Sequence, residues 1–392
     1  MKTKVSIVKC PDYDEAKVKA AIRQSVELAG GLDKVIKPKD KVILKINLMA
    51  PSPIEKAVTT HPAVIKAVIK LVQEAGGVPV VADSPGVYSV AQKNRVMRKS
   101  GILELAESLG AEAVQFECVE NPFIEVEVEN GQWLKRLSYA RLVLEADVVI
   151  NLPKLKTHGL TFFTGAVKNM FGVIAPNTRR EAHQLADQDK FSGAVVDIFS
   201  ARKPDFVIMD GVIGMEGSGP NNGRPKPLGL ILASNDCVSL DAVGSRIIGF
   251  NPEDVYTTRF ANERGIGVGE LTNIETLGEN INDVFVDFEK PGIRRASIPR
   301  ALFGFFDRYL KVQPHLVKDK CTRCKVCEQI CPVEVIKMAP YPVIDREKCI
   351  ECFCCNEMCD EGAMEIRSNW LAKTVKWPPP LQLEHIKAIN KK

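Results

Sequence analysis

The chain has 392 residues, 45% of them hydrophobic and 26% charged, with a formal net charge of +4. This is the composition of an ordinary globular chain long enough for two domains, and it excludes a disordered or collagen-like one. The small charge and the lack of a basic stripe interleaved with aromatics argue against a nucleic-acid partner, and no apolar run approaches the roughly twenty residues that span a bilayer.

Residues 1 to about 290 alternate short apolar runs with amphipathic stretches. Residues 5–8 read as a strand. Residues 16–28 read as a helix with Val18, Ala21, Ile22 and Val26 on one face, closed by Gly30-Gly31. Residues 41–46 (KVILKI) are a predicted strand. Residues 61–74 are a helix in which Pro62 suits the first turn and Val64, Ile65, Val68, Ile69 and Val72 keep helical spacing. After Gly76-Gly77, residues 78–82 form the next strand. This βαβ rhythm predicts a mostly parallel sheet with helices on both faces. Further along, residues 102–109 read as a short helix, and residues 123–128 and 133–137 as a hairpin turning at Asn130-Gly131. Residues 147–150, 206–209 and 228–233 are apolar strands, residues 236–249 and 253–264 are helices, and residues 284–286 are the expected last strand of an α/β body spanning residues 1–297.

Ligands of open parallel sheets bind beyond the carboxyl ends of the strands. Polar residues gather at those ends here: Asn47, Asp83, the run 151–158 with Lys154, Lys156 and His158, and Asp210-Gly211, followed by a glycine-rich run with Glu216. Residues 154–180 add Gly165, Lys168, Asn169, Arg179 and Arg180. Lysines among small residues suit a phosphate or carboxylate, with Thr164-Gly165-Ala166 opening a helix whose free N–H groups face the anion. Gly165-x2-Lys168 is too short for a P-loop. The expected binding residues for an anionic small molecule or cofactor are therefore Asn47, Asp83, Lys154, Lys156, Gly165, Lys168, Asn169 and Arg179. His158 is the candidate general acid, since its reference pKa lies near neutrality. Asp210 and Glu216 are candidates to position a hydroxyl, an amine or a metal. A solvated basic loop is the plain alternative, and His61 and His158 with Asp83, Asp210 or Glu216 are an alternative metal set.

Residues 298–317 form a connector rich in aromatics (Phe303, Phe305, Phe306, Tyr309). It reads as a docking segment rather than a membrane-surface helix, because Arg300, Asp307, Arg308 and Lys311 make no strong basic face. Cys10, Cys118 and Cys237 are scattered, and the other nine of the 12 cysteines lie between 321 and 359. Cys321-x2-Cys324-x2-Cys327-x3-Cys331-Pro332 and Cys349-x2-Cys352-x2-Cys355-x3-Cys359 repeat one spacing at an offset of 28 residues. That spacing is used for paired [4Fe–4S] clusters, in which the last cysteine of each copy serves the other copy's cluster. The expected ligand sets are Cys321, Cys324, Cys327 and Cys359, and Cys349, Cys352, Cys355 and Cys331. Zinc prefers four ligands in two pairs, and the start of the chain shows no apolar run that would signal export to a disulfide-forming compartment. Asp360 stands where a proline is expected, and Cys354 is an extra thiol, either a packing group or part of an alternative ligand register. Residues 318–368 look like a bacterial-type two-cluster ferredoxin. Residues 318–367 hold 8 Lys/Arg and 10 Asp/Glu, a balance that suits a docked module better than a free carrier. Residues 369–392, with Pro378-Pro379-Pro380, read as a C-terminal strap.

The stretches THPAVIKAVIKLVQEAG, VADSPG, NLPKLKTHGLTFFTGAVKNMFG, DGVIGMEGSGP and SNDCVSLDAVGSRIIGFNPEDV together resemble the family catalogued as domain of unknown function 362, over nearly the whole chain. The resemblance implies an α/β body that often carries a C-terminal two-cluster ferredoxin module, and a redox role, but no defined reaction. Lys45-Ile46-Asn47 departs from the proline that members tend to place before the asparagine, and Asp236-Cys237 replaces a usual Asp-Pro, which argues against Cys237 as a shared ligand. The expected fold is α/β, with a mostly parallel sheet covered on both faces and a small α+β ferredoxin-like module. The expected function is a cytoplasmic iron–sulfur oxidoreductase that passes single electrons through two [4Fe–4S] clusters, between a soluble electron donor or acceptor protein and the anionic molecule on the body. A flavin or deazaflavin is a candidate acceptor, whereas no GxGxxG follows a strand to bind a nicotinamide. Two rivals stand: a non-redox metal or acid–base enzyme with structural or sensory clusters, and a pure electron-transfer subunit docking a partner protein. A homodimer is left open.

Overall fold

The computed structural model describes residues 2–85, 95–185, 187–291 and 312–368. The aromatic part of the connector and the strap at 369–392 lie outside these residues. Twelve strands of the first three hundred residues are β1 Thr3–Lys9, β2 Lys41–Ile46, β3 Val78–Asp83, β4 Glu112–Gln115, β5 Phe123–Glu127, β6 Arg136–Ala140, β7 Val148–Leu152, β8 Lys154–His158, β9 Phe162–Thr164, β10 Phe206–Glu216, β11 Arg224–Ser234 and β12 Ile274–Gly278. Ten of them form one sheet in the order β12-β1-β11-β10-β7-β2-β3-β4, with β8 beside β10 and β9 beside β8. The pairs β1–β12, β10–β7, β10–β8, β2–β7, β2–β3 and β3–β4 are parallel, whereas β11 runs antiparallel to both β1 and β10. The sheet is thus mostly parallel.

Period-two alternation sends neighbouring residues to opposite faces. Ile43, Val149, Val207 and Leu232 enter one core with the helices Gln188–Ala201 and Cys237–Ile247. Val42, Leu44, Ile150, Ile208 and Ile231 enter the other with the helices Glu15–Leu28 and Pro62–Glu74. Both faces are covered, which is why these strands read as unbroken apolar runs. Asp14 caps the first of these helices, and His61 caps the helix Pro62–Glu74, its Nδ1 accepting from the Ala63 N–H at 3.1 Å.

The structure corrects several expected elements. The run 154–158, expected as a loop, is β8, buried throughout. β10 runs on through Asp210-Gly211 to Glu216, with a bulge between Gly211 and Ile213. The second hairpin strand begins at Arg136, with Phe123 opposite Ala140. Residues 284–286 are not a strand, and the last strand of the sheet is β12, on its edge.

The cysteine-rich segment holds two small antiparallel pairs: β13 Val312–Leu316 with β16 Met364–Ser368, and β14 Ile336–Met338 with β15 Pro342–Ile344. Residues 312–316, expected in the connector, therefore belong to this small sheet. Three positions of positive φ recur at the 28-residue offset: Arg323 and Glu351, Lys325 and Phe353, and Glu334 and Gly362. The sequence repeat is also a repeat of backbone conformation.

Asp197 ties the β5–β6 loop to the helix Gln188–Ala201. Its buried carboxylate accepts the N–H groups of Gln132, Trp133 and Leu134 at 3.0, 2.7 and 2.9 Å and pairs with Arg264 at 2.8 Å. Asp197→Ala strands three donors and a guanidinium. Denaturant unfolding should show a loss of about 3–5 kcal/mol.

Candidate functional site

The carboxyl ends of β2, β3 and β8 open onto a cavity of about 450 Å³. One wall belongs to the sheet side of the chain: Lys45, Asn47, Asp83, Ser84, His158, Thr164, Lys168, Asn169, Arg179 and His183. The other belongs to the cysteine-rich segment: Gln329, Ile330, Pro332, Cys354, Glu357 and Met358. The two sides are joined by Arg180 Nη1 to Glu334 at 3.1 Å, Gln184 Nε2 donating to the Pro332 carbonyl at 3.0 Å, and Asn222 Nδ2 donating to the Asn356 carbonyl at 2.5 Å.

Most cations near the cavity are already committed. Lys45 and Asp83 form an ion pair at 2.8 Å, 1% and 2% exposed. Asp83 also accepts the N–H of Leu48 at 2.6 Å and of Ser84 at 2.7 Å. Gly172 leaves room for this pair, since a Cβ there would lie 2.5 Å from Asp83 Oδ1. Arg179 donates to the carbonyls of Ile174 and Gly172, to Glu117 at 3.3 Å and to Ser84 Oγ. Asn169 donates to Asn151 Oδ1 at 2.7 Å and to the Ile46 carbonyl at 3.2 Å, and so fastens the segment after β9 to β2 and β7.

Lys168 differs. Its ammonium sits 4.0 Å from the centroid of the Phe171 ring. Burial lowers its pKa from the ordinary lysine value to about 8, with Glu357 and Cys354 opposing that shift. His158 turns its Nδ1 to the N–H groups of Leu160 and Thr161 at 3.0 and 3.3 Å, which leaves the proton on Nε2, 3.7 Å from Glu357 Oε1. Burial, with Lys168 nearby, pushes its pKa well below the ordinary value. His158 is therefore a neutral N–H donor, and the expected general acid is corrected accordingly. His183 lies stacked on Phe191 at 4.8 Å, and its pKa is lowered to about 3 by burial. Asn47 Oδ1, Thr164 Oγ1 and His183 Nδ1 find no hydrogen-bond partner among the described residues.

Five expected site residues do not meet in this cavity. Lys154 is held in a closed cluster on the other face: its Nζ donates to Asp210 Oδ2 at 2.9 Å and to Tyr13 Oη at 2.5 Å, while Tyr13 donates to Asp210 Oδ1 at 2.9 Å and His61 stacks on Tyr13. Asp210 is thereby neutralised and has no free oxygen to position a substrate. Lys156 donates to the Val58 carbonyl at 2.8 Å, and burial drives its pKa well down. Glu216 pairs with Lys226 at 2.8 Å and Arg224 at 3.3 Å, away from the strand ends. The helix N-terminus behind Gly165 is filled from within, because Asp241 accepts the N–H groups of Ala166 and Val167 at 2.6 and 2.9 Å. A Cβ on Gly165 would lie 2.1 Å from Asp241 Oδ1, so the glycine makes room for a carboxylate of the chain itself. The alternative metal set fails for the same reason: each of its carboxylates is taken by a cation.

Lys45, Arg180, His183, Cys354 and Glu357 were not among the expected site residues. Lys45 carries a readable signal, a lysine inside an otherwise apolar strand. Glu357 carries a weaker one, a carboxylate between two cysteines of a metal-type repeat.

The thiols fall into two groups. Cys321, Cys324, Cys327 and Cys359 line one cavity, and Cys331, Cys349, Cys352 and Cys355 line a second together with Cys354. Four thiols around one hollow are the donor set of a cubane cluster, so the residues fit such a group. Among the described residues no three His, Cys, Asp or Glu side chains converge on a single ion, and a cubane does not ask for that, since each iron takes one protein thiolate.

The sheet and the thiol loops define an α/β protein with an iron–sulfur segment. The family model for a 4Fe-4S binding domain matches residues 314–337, which makes this a protein of at least one [4Fe–4S] cluster. The model described as domain of unknown function (DUF362) matches residues 42–246. A thylakoid-associated protein of Synechocystis sp. is 31% identical over 329 residues, 81% of this chain and 98% of that protein. The chain belongs to the DUF362 family. Among solved structures, the lactate racemase apoprotein from Thermoanaerobacterium thermosaccharolyticum has a TM-score of 0.40 at 11% identity, over 62% of this chain and 58% of that one. A structural-genomics protein from Thermotoga maritima has 0.35 at 15%, over 56% and 55%. In both cases the chain spans less than two thirds of the solved protein. Among the described residues no helix is long and apolar enough to cross a membrane.

Lys45→Met should cost about 3–5 kcal/mol, because it strands a buried carboxylate. Adding Asp83→Asn, which removes the stranded charge and keeps an acceptor for one of the Leu48 and Ser84 N–H groups, should restore part of that loss in denaturant unfolding.

Proposed function

We propose that the chain is an iron–sulfur oxidoreductase that moves single electrons between a carrier protein and an anionic small molecule held in the 450 Å³ cavity. One observation carries the reading. The cavity has a cation-bearing wall from the strand ends and a second wall from the residues that lie between the two thiol groups. A volume of this size suits a small ligand. When bound, two [4Fe–4S] clusters, on Cys321, Cys324, Cys327 and Cys359 and on Cys331, Cys349, Cys352 and Cys355, supply one-electron relays beside that ligand.

The chain's own groups have distinct parts in this scheme. Lys168 meets the negative charge of the ligand. His158 Nε2–H donates a hydrogen bond without changing charge. Asn47, Thr164 and His183 offer polar atoms that a ligand with hydroxyl or N–H groups completes. Arg179 and the Lys45–Asp83 pair hold the floor in place. Arg180 braces the seam. A flavin or deazaflavin in the cavity is the variant of this reading in which the chain also holds its own second redox group.

An anaerobic reductive titration separates these cases. Uptake of about two electrons per chain is expected from two clusters alone. More than two identifies a further bound redox group. Fewer than two in a fully iron-loaded sample overturns the two-cluster relay.

The anion site has its own test, with phosphate and a dicarboxylate as probe anions in calorimetric titrations. The Lys168 pKa is lowered to about 8 by burial; Glu357 and Cys354 face it from the opposite wall, and Arg179, Lys45, His158 and His183 lie on its own wall. Its protonated form binds the anion. Affinity should be highest about one pH unit or more below 8 and fall as pH rises through that value. Lys168→Ala should lower affinity about tenfold or more at pH 7 and flatten this dependence, with iron content unchanged. Unchanged affinity and pH profile would remove the proposed site.

A further inference from the structure

The two thiol groups differ in their access to solvent. Cys331, Cys352 and Cys355 are buried, and their hollow shares Pro332 and Cys354 with the large cavity. Cys324 of the other group is exposed, and Cys321, Cys327 and Cys359 are partly so. The exposed group lies at the bottom of an open mouth. Lys56, Arg95 and Lys99 reach that mouth from the sheet side of the chain, and Arg323 and Lys325 from the thiol loop itself. All five are exposed. Among the described residues two carboxylates, Asp360 and Glu361, share the mouth with them.

This distribution does not follow from average charge, since residues 318–367 hold slightly more acids than bases. Several of those acids are spent elsewhere: Glu365 pairs with Lys320 and Arg367, Asp345 with Lys348, and Glu334 with Arg180. What remains at the mouth is net positive, five cations against two carboxylates, and more than half of its cations come from outside the thiol segment. A net-positive rim around an exposed redox port favours electrostatic steering of an acidic protein partner.

We propose that the mouth around Cys321, Cys324 and Cys327 is the docking surface for an acidic single-electron carrier protein. The inference rests on the iron–sulfur reading above and adds to it the port, the charge of the partner and the order of transfer. Each productive encounter oxidises the carrier by one electron and reduces this chain by one, and no bond is made or broken. The exposed group receives the electron, and the buried group beside the large cavity passes it on.

The test uses the full-length, iron-loaded protein and an acidic [2Fe–2S] ferredoxin, both oxidised so that no electron moves, with affinity read by calorimetry or biosensor. Wild type should bind and should weaken about tenfold or more as ionic strength rises from low salt to half molar. Lys56→Glu/Arg95→Glu/Lys99→Glu lies wholly outside the thiol loop. It should keep wild-type iron content and absorbance and lose about tenfold or more in affinity at low salt. Arg323→Gln/Lys325→Gln should lose less, in the same direction. A basic cytochrome should not bind. Affinity within twofold of wild type in the triple variant, or equal binding of the basic cytochrome, would overturn the docking surface. The iron count and the absorbance report separately on the cluster reading, so failure of one is not mistaken for failure of the other.

Discussion

Taking an ammonium or guanidinium out of water costs several kcal/mol unless the protein supplies a partner. Lys45, Lys154, Lys156 and Arg179 are all buried at or near the strand ends of this sheet, and much of the local architecture can be traced to how each is compensated. Lys154 and Asp210 are paired across β8 and β10, and that register brings Tyr13 and His61 onto them. Lys45 and Asp83 are paired across β2 and β3, which forces Gly172 at the point of closest approach. Arg179 draws in carbonyls from the turn that precedes it. Lys156 settles for the Val58 carbonyl, and burial lowers its pKa. Lys168 faces Glu357 of the cysteine-rich segment across the cavity, and on the proposed reading it is the cation an incoming anion would meet.

The same desolvation acts from the opposite wall. Glu357 is buried between the thiol groups, and its pKa is raised to about 7, with Lys168 and Lys156 pulling it back down. Lys168 and Glu357 therefore each lower the cost of burying the other. The seam is polar elsewhere too, through Arg180, Gln184 and Asn222, and its contacts on the far side fall at Gln329, Pro332, Glu334 and Asn356. All of these lie in the chain segments between cysteines. Whatever orders the thiol loops also orders one wall of the cavity, so on the proposed reading ligand binding and metal loading are coupled through shared structure.

How much of this was legible follows from the same physics. β2 and the helix Pro62–Glu74 were plain, because apolar periodicity, a proline at the first turn and closing glycines all agree. β8 was not, because three of its five residues are Lys or His, and only tertiary partners 56 and 98 residues away make them tolerable in a buried strand. Asp210-Gly211 read as the end of a strand and is the bulged middle of β10. Thr164-Gly165-Ala166 looked like an anion cradle, and the anion is Asp241, from a helix 75 residues on. His158 was correctly located at the strand ends, but its tautomer depends on two backbone N–H groups that no pattern announces. On the far wall Cys354 was read only as an extra thiol and Glu357 was missed, because the spacing of a metal motif accounts for its ligand cysteines and says nothing of what lies between them.

The cysteine repeat is nearly a duplication in backbone, with left-handed residues recurring at the same offset, yet its two halves have diverged where they meet the rest of the chain. The third recurring position is Glu334 in the first copy, and its carboxylate braces Arg180. In the second copy it is Gly362, which needs no such contact. Pro332 lies against the large cavity, and its counterpart Asp360 lies at the open mouth. Each thiol group draws on both copies, and one group has been buried beside the large cavity while the other faces solvent with a rim of cations. On the proposed reading, that asymmetry gives the relay a direction. Adding an electron to a buried group costs more in a low dielectric than at a wet surface, and on the same reading the cations of the cavity wall, Lys168 among them, act to offset that cost.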